Sequence, residues 1–323
     1  MSHSTINIFY LLLFLILLVI VAPSHPDPAF SRLTSDISRY GPKEIRAILE
    51  RLPHSVVGNG SARTDLMAIL MSYPGFCVAL ETDASGKLFV VMSNRTKIPY
   101  DDGKKKDFEA KLNNPDLQDM LSQVYRPGPV TEPAAKNHDP GRFRVTGFFK
   151  AVYGSAKREV RANLVPVSFC GKTVLFNKRN GAADALKRVG SGLQLLLRKR
   201  PDLGRFVSPI GGTFAWREIS GTTRLSPHSF GIAIDLNPKQ GDYWRWNKGS
   251  FDLLHHLRRY PIEIVDIFER NGFIWGGKWS HYDSMHFEYR PELLLKARNL
   301  SVRIQGKEWK KTTKTRRLKG SYL

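Results

Sequence analysis

Two short stretches carry the residue types that chemistry needs. The first is "RLSPHSFGIAIDLNP", residues 224–238, where His228 opens an apolar run that ends on Asp235. The second is "YDSMHFEY", residues 282–289, which holds Asp283 and His286. Asp is disfavoured in strands, and a buried carboxylate needs a partner to offset its lost hydration. Ile232, Ile234 and Leu236 alternate with Gly231, Ala233 and Asp235. Successive strand side chains face opposite ways, so the aliphatic set turns to the core and Asp235 shares its face with small residues. Open space before a carboxylate suits a pocket and not a packed core.

The partner that fits Asp235 is a metal ion. His228 lies seven residues before it, roughly 23 Å away in a fully extended chain. Two ligands of one zinc each bind at about 2.0–2.2 Å, so the chain must double back between them. Gly231 is the place, because glycine adopts backbone angles that other residues avoid. With His286 the set becomes two histidines and one aspartate. Three protein ligands with an open fourth position are the catalytic pattern, not the structural one. Asp283 precedes His286 by three residues; on a strand the two would face apart, but in a bend they meet. A carboxylate near the metal and not bound to it can take a proton from an attacking water and pass it to a leaving amine. Alone, the spacing of His228 and Asp235 also describes a core histidine with a capping aspartate; Asp283 and His286 together strengthen the metal reading.

The elements that must position these residues are legible in part. "NLVPVSF" and "KTVLF" read as strands, and "GAADALKRVGSGLQLLLRKR" spaces Leu186, Val189, Leu193 and Leu197 as a helix. "YPIEIVDIFERNGF" carries Pro261 near its start and Gly272 near its end, the usual helix punctuation. Upstream, "PKEIRAILERL" is a short amphipathic helix with Pro42 at its start. "FCVALE" and "KLFVVMS" are strands joined by "TDASG". Residues 126–142 hold four prolines and two glycines and mark a boundary or a long loop. The adjacent pair His255 and His256 reads as helix surface, since neighbouring helical side chains do not face one another.

Composition bounds the partners. A chain of 323 residues with 41% hydrophobic and 24% charged content builds a real core. Its net charge of +21 points to an anionic partner. Residues 8–22 form an uncharged apolar run of fifteen, read as an export signal that is either removed or kept as a membrane anchor. Export to the periplasm or cell envelope favours cell-wall polymer or membrane over a specific nucleic acid. Residues 302–323 carry eight basic residues against one Glu and read as a basic tail. Cys77 and Cys170 are either two buried thiols or one disulfide, which would contribute about 4 kcal/mol in the chain-entropy model. The expected layout is a signal or anchor segment and linker over 1–30, a region of unassigned role over 31–140, a zinc domain over 141–301 and the tail.

The stretch Ser226 to Asp235, "SPHSFGIAID", resembles the S-x-H-x-x-G-x-A-x-D signature of the zinc D-Ala-D-Ala carboxypeptidase family. That family includes the vancomycin-resistance D,D-peptidases and the L-alanyl-D-glutamate endolysins. "GGTFAWREISGT" and "WGGKWSHYDSMHFE" are similar to flanking segments of the endolysin-like branch, and the resemblance spans about residues 160–298. It implies an α+β fold: an antiparallel sheet with flanking helices and a zinc cleft on the open face. It implies zinc on His228, Asp235 and His286, with Asp283 as general base. Arg217 would hold the scissile carbonyl or the developing oxyanion, with Arg224 as its rival. Ser226 and Trp279 would line the substrate cleft, against the plainer reading of a turn hydroxyl and a core indole. The D,D-dipeptidases carry Glu where this chain has Asp283, so the chain sides with the endolysin-like branch. The activity implied is hydrolysis of a peptidoglycan stem peptide next to a D-amino acid, by a D,D-carboxypeptidase or an L-Ala-D-Glu-type endopeptidase. The alternative is a catalytically silent, Hedgehog-like zinc domain that binds cell wall or another anionic polymer.

Overall fold

Strand and helix signals in the sequence resolve into three small antiparallel sheets packed with helices, an α+β architecture. The computed structural model describes residues 30–34, 40–52, 61–246 and 257–299. The apolar run 8–22, the pair His255 and His256, and the tail 302–323 lie outside the described residues. Among the described residues no helix is long and apolar enough to cross a membrane.

The first sheet has the order β1 (Phe30–Thr34), β2 (Cys77–Asp83), β3 (Leu88–Met92) and β4 (Lys97–Pro99). β2 and β3 are the two strands read from "FCVALE" and "KLFVVMS". Their turn closes because Asp83 Oδ1 accepts from the backbone N–H groups of Ser85 and Lys87 at 2.9 and 3.0 Å. The second sheet is a hairpin of β5 (Leu164–Phe169) and β6 (Lys172–Asn177). Cys170 and Gly171 form its two-residue turn, both at positive φ (47° and 79°), which matches the twist of the strands it joins. The third sheet carries the chemistry. Its order is β7 (Ala233–Asp235), β9 (His286–Tyr289) and β8 (Phe273–Trp275).

The helix Ala182–Lys199 buries Leu186, Val189 and Leu193 along one stripe. The helix Ile262–Arg270 follows Pro261 and ends before Gly272, as the punctuation requires. Helix Pro42–Arg51 buries Ile45 and Leu49. One hydrophobic cluster runs from Ile45 through Phe148, Leu186 and Phe273 to Leu294. The proline-rich segment 126–142 has no helix or strand, and the core is continuous across it. Buried polar links cross it as well. Tyr73 donates to Glu292 at 2.7 Å, Tyr125 donates to Glu269 at 2.5 Å, and Lys296 pairs with Asp65 at 2.6 Å.

The two cysteines are not joined. Cys77 starts β2 of the first sheet and Cys170 sits in the β5–β6 turn, and both are free. Burial pushes both thiols up, that of Cys170 to about 11, so neither is a reactive thiolate at neutral pH.

The Asp65–Lys296 pair joins the early helix Ser61–Ser72 to the final described helix, 291–299. Burial raises the Asp65 carboxyl and Lys296 pulls it back down. Lys296→Met should therefore leave a buried carboxylate without its cation and destabilise the fold by about 3–5 kcal/mol. Adding Asp65→Asn should recover much of that loss. Denaturant melts of the two single variants and the double variant check this; additive losses would show that the pair does not couple.

Candidate metal centre

The centre is built by one tight turn and one strand pairing. Pro227–Phe230 form a turn of 3-10 helix. Ser226 caps it, its hydroxyl oxygen accepting from the His228 N–H at 3.3 Å. Gly231 ends the turn in the left-handed region, at φ 64° and ψ 35°. The left-handed backbone angle demands glycine, and a Cβ there would also press on the end of the Leu164 side chain, 2.5 Å from its Cδ2. Asn177 Nδ2 donates to the Phe230 carbonyl at 2.9 Å and holds the turn against β6. The chain has doubled back where the sequence placed the bend. Ile232, Ile234 and Leu236 are fully buried. β7 then delivers Asp235, and antiparallel pairing sets His286 of β9 directly opposite.

Three donor atoms converge. His228 Nε2 is 3.3 Å from His286 Nδ1 and 3.2 Å from Asp235 Oδ1. His286 Nδ1 is 2.9 Å from the same Asp235 oxygen. Tetrahedral ligands of one zinc stand about 3.3–3.6 Å apart, so small outward shifts would seat the ion. The three residues form a group fit to hold a metal. The ring tautomers fit too. His228 Nδ1 lies 2.8 Å from the Thr213 carbonyl, an acceptor, so Nδ1 carries the proton and the Nε2 lone pair faces the cluster. His286 Nε2 is buried without a hydrogen bond, and its nearest carboxylate is Glu288, at 3.7 Å. A shift of about half an ångström would make this the carboxylate–imidazole hydrogen bond found behind many metal ligands.

The electrostatics of the group favour a cation. Burial raises the Asp235 carboxyl, but hydrogen bonds and charge from His228 and His286 outweigh it and hold Asp235 far below the usual carboxylate range. Burial pulls His286 down, yet Asp235 and Glu288 push it up to about 10. Without a metal, the cluster keeps a proton on His286. A divalent ion would displace that proton and take over its role.

Asp283 stands beside this group. It lies in a bend, with His286 N–H donating to its carbonyl at 3.2 Å and its own N–H donating to Gly276 at 3.0 Å. The bend brings the Asp283 carboxyl within electrostatic reach of His286, as their spacing allows. Asp283 Oδ1 is buried and has no hydrogen-bond partner. Burial pushes its carboxyl up to about 6, with His286, His228 and Arg142 pulling down and Asp235 pushing up. A half-buried carboxylate with an unpartnered oxygen, poised near neutrality beside ligand-type residues, is a proton carrier by its physical properties.

The remaining expected residues are placed differently. Trp279 is 4% exposed; its Nε1 donates to the Pro140 carbonyl at 2.8 Å. Its ring lies 5.7 Å from that of His286, so it walls the centre from inside. Ser226 is buried and acts as the cap described above. Arg217 is exposed, and its backbone is clipped to Ser229 at 2.9 and 2.7 Å. Arg224 is half-buried.

Other residues of the site went unread in the sequence. Arg144 grips Glu288 in a two-pronged ion pair, with Nε at 2.9 Å and Nη2 at 2.6 Å. Arg290, fully buried, reaches Glu288 at 3.4 Å and Glu292 at 2.5 Å. Fully buried Asp139 accepts from Arg142 at 2.7 Å and holds His281 Nδ1 at 2.6 Å. The run "HFEYRPE" puts Glu288, Arg290 and Glu292 two apart, which was a readable sign of paired charges. Nothing local ties Arg144 to a partner 144 residues away.

The Asp283 carboxyl yields a pH prediction for the metal-free protein. Its folded value lies above the unfolded one, so its contribution to stability is full below about pH 4 and is lost as pH rises through about 6. Asp283→Asn should gain stability over wild type across that window, by about 1–3 kcal/mol, and level off above it. Denaturant melts in chelator at several pH values test this; a difference that stays flat with pH would contradict a raised Asp283 carboxyl.

Comparison with curated proteins gives no match, and comparison with solved structures gives none. A family model does match: residues 220–289 fit that described as D-alanyl-D-alanine carboxypeptidase. The matched segment contains Arg224, Ser226, both clustered histidines, Asp235, Trp279 and Asp283, and it does not reach Arg217, Arg144 or Asp139. Residues 220–289, which carry the whole donor cluster and its neighbouring carboxylate, are thus similar to the D-alanyl-D-alanine carboxypeptidase family of peptidases.

Proposed function

We propose that this protein is a zinc-dependent peptidase that hydrolyses a peptidoglycan stem-peptide bond next to a D-amino acid. The observation that carries this reading is the convergence of His228 Nε2, His286 Nδ1 and Asp235 Oδ1 beside the unpartnered carboxylate oxygen of Asp283. Zinc held by these three residues would supply Lewis acidity to the scissile carbonyl and the attacking water. Asp283 would take a proton from that water and release it towards the leaving nitrogen. Glu288, held by Arg144 and Arg290, would fix the His286 ring and its tautomer. Trp279 and Tyr282, both buried, would keep bulk water from the inner side of the centre. An idle carboxylate beside the donors is superfluous in a silent binding domain, and this favours hydrolysis over the Hedgehog-like alternative.

Residues 8–22 and 302–323 extend the proposal to location. The first would export or anchor the chain at the cell envelope, and the second would adsorb it on an anionic surface, more weakly as salt rises.

Purified protein should contain about one zinc per chain, and His228→Ala combined with His286→Ala should abolish it; full metal retention in that variant would rule out the ligand set. Asp283→Asn should keep zinc and lose about two to four orders of magnitude in hydrolysis of purified peptidoglycan, with fragments identified by mass spectrometry. A zinc-loaded Asp283→Asn protein with near wild-type hydrolysis would refute the mechanism and make Glu288 the next carboxylate to test. Glu288→Gln should weaken zinc binding by about ten- to a hundredfold, measured by chelator competition. Unchanged affinity would show that Glu288 serves the fold alone.

A further inference from the structure

Arg224 has no counter-ion. Its guanidinium makes no hydrogen bond or ion pair among the described residues, and its Nε is buried without a partner. The charged groups that face it are Arg144, Arg142 and, more weakly, Glu109. Two of the three repel it, and Glu109 is an exposed residue of the short helix Phe108–Asn113 that does not pair with it. Arg144 is already committed to Glu288, and Arg142 to Asp139. A half-buried cation set against two others, with no anion of its own, is costly in a folded protein. Burial and its like-charged neighbours lower its pKa accordingly.

The backbone holds Arg224 in place. Its N–H donates to Thr222 Oγ1 at 3.2 Å and its carbonyl accepts from Ile219 N–H at 2.8 Å. Leu225 bridges to Glu218, and Ser226 then caps the turn of His228. Its neighbours reach the chemistry: Arg144 lies 5.9 Å over the Trp279 ring, which packs on His286. Arg142 is close enough to Asp283 to lower its carboxyl. Both cations that face Arg224 thus border residues of the centre, Arg144 at Trp279 and Arg142 near Asp283.

We propose that Arg224, backed by Arg142, is the subsite for a carboxylate carried by the amino acid that leaves as the free amine. This rests on the peptidase reading above and narrows its substrate class. A D-Ala-D-Ala terminus and an L-Ala-D-Glu bond share this feature: the leaving residue bears an α-carboxylate on the carbon next to the scissile nitrogen. A guanidinium takes that group with two parallel hydrogen bonds. Neutralising it as an amide removes the charge and leaves Arg224 unpaired. The subsite therefore selects a free carboxylate at this position and rejects its amide.

The test uses full-length, zinc-loaded protein and four soluble peptides. Two end in D-Ala-D-Ala, as free acid or C-terminal amide; two contain L-Ala-D-Glu, with the glutamate α-carboxylate free or amidated. Wild type should turn over at least one free acid with kcat/KM about ten- to a hundredfold above its amide. In Arg224→Gln that preference should fall to near one, chiefly through KM, while zinc content stays near wild type and the melting temperature does not fall. Arg224→Lys should restore part of the preference, since it returns the charge without the fork. Equal turnover of acid and amide by wild type would overturn the subsite and leave the peptidase reading standing, and this comparison needs no variant to fold. A folded Arg224→Gln protein that keeps the preference would also overturn it. No hydrolysis of any of the four peptides would overturn the peptidase reading, and the subsite with it.

Discussion

The antiparallel pairing of β7 with β9 is the constraint on which the centre depends. It sets Asp235 against His286 at one register position, and a slip of one residue would turn one of the two to the opposite face. The register is held from both sides. Ile234 lies opposite Phe287, and Trp275 pairs with Phe287 from β8, so aromatic and aliphatic bulk fills the core face of the same strands. Leu236, one residue past Asp235, is fully buried and its N–H donates to Met285 at 2.9 Å. The apolar face thus determines where the polar face points.

A ladder of buried charge supports the strand pairing from behind. Glu288 lies between Arg144 and Arg290, Arg290 pairs with Glu292, and Glu292 accepts from Tyr73. Each group in this chain would be expensive to bury alone, and each has at least one oppositely charged or hydrogen-bonding neighbour. Arg290 also stacks its guanidinium 5.0 Å from the Phe149 ring centre. The ladder links Tyr73, just past the helix Ser61–Ser72, to β9, so the first half of the chain buttresses the strand that carries His286. Asp139 adds a second strut, holding both Arg142 and the His281 ring and backbone.

The centre is left electrostatically incomplete by this framework. Asp235 is held ionised and His286 is held protonated by mutual attraction, while Asp283 keeps a buried oxygen without a donor. Arg224 has the opposite deficiency, a cation without an anion. Such groups reduce stability unless a ligand answers them. A metal cation answers the first and a substrate carboxylate the second, which gives the strain a chemical use.

The sequence by itself determined the local chemistry. The donor types, the need for a reversal at Gly231, the aliphatic alternation through Leu236 and the bend between Asp283 and His286 are set by residue type and spacing within a few positions. So are the helices and hairpins, because their periodicity and punctuation are short-range properties. The tertiary structure decided what surrounds that chemistry. It tied Arg144 to Glu288, buried Trp279 and Ser226 where cleft residues were expected, kept Cys77 and Cys170 apart on different sheets, and left Arg217 exposed while Arg224 turned inward. Long-range pairing depends on how independent elements pack, and one strand's pattern carries no record of which distant arginine will neutralise its glutamate. Hydrophobic burial fixes that packing only when all faces meet at once, so the charges it traps become partners that only the folded chain reveals.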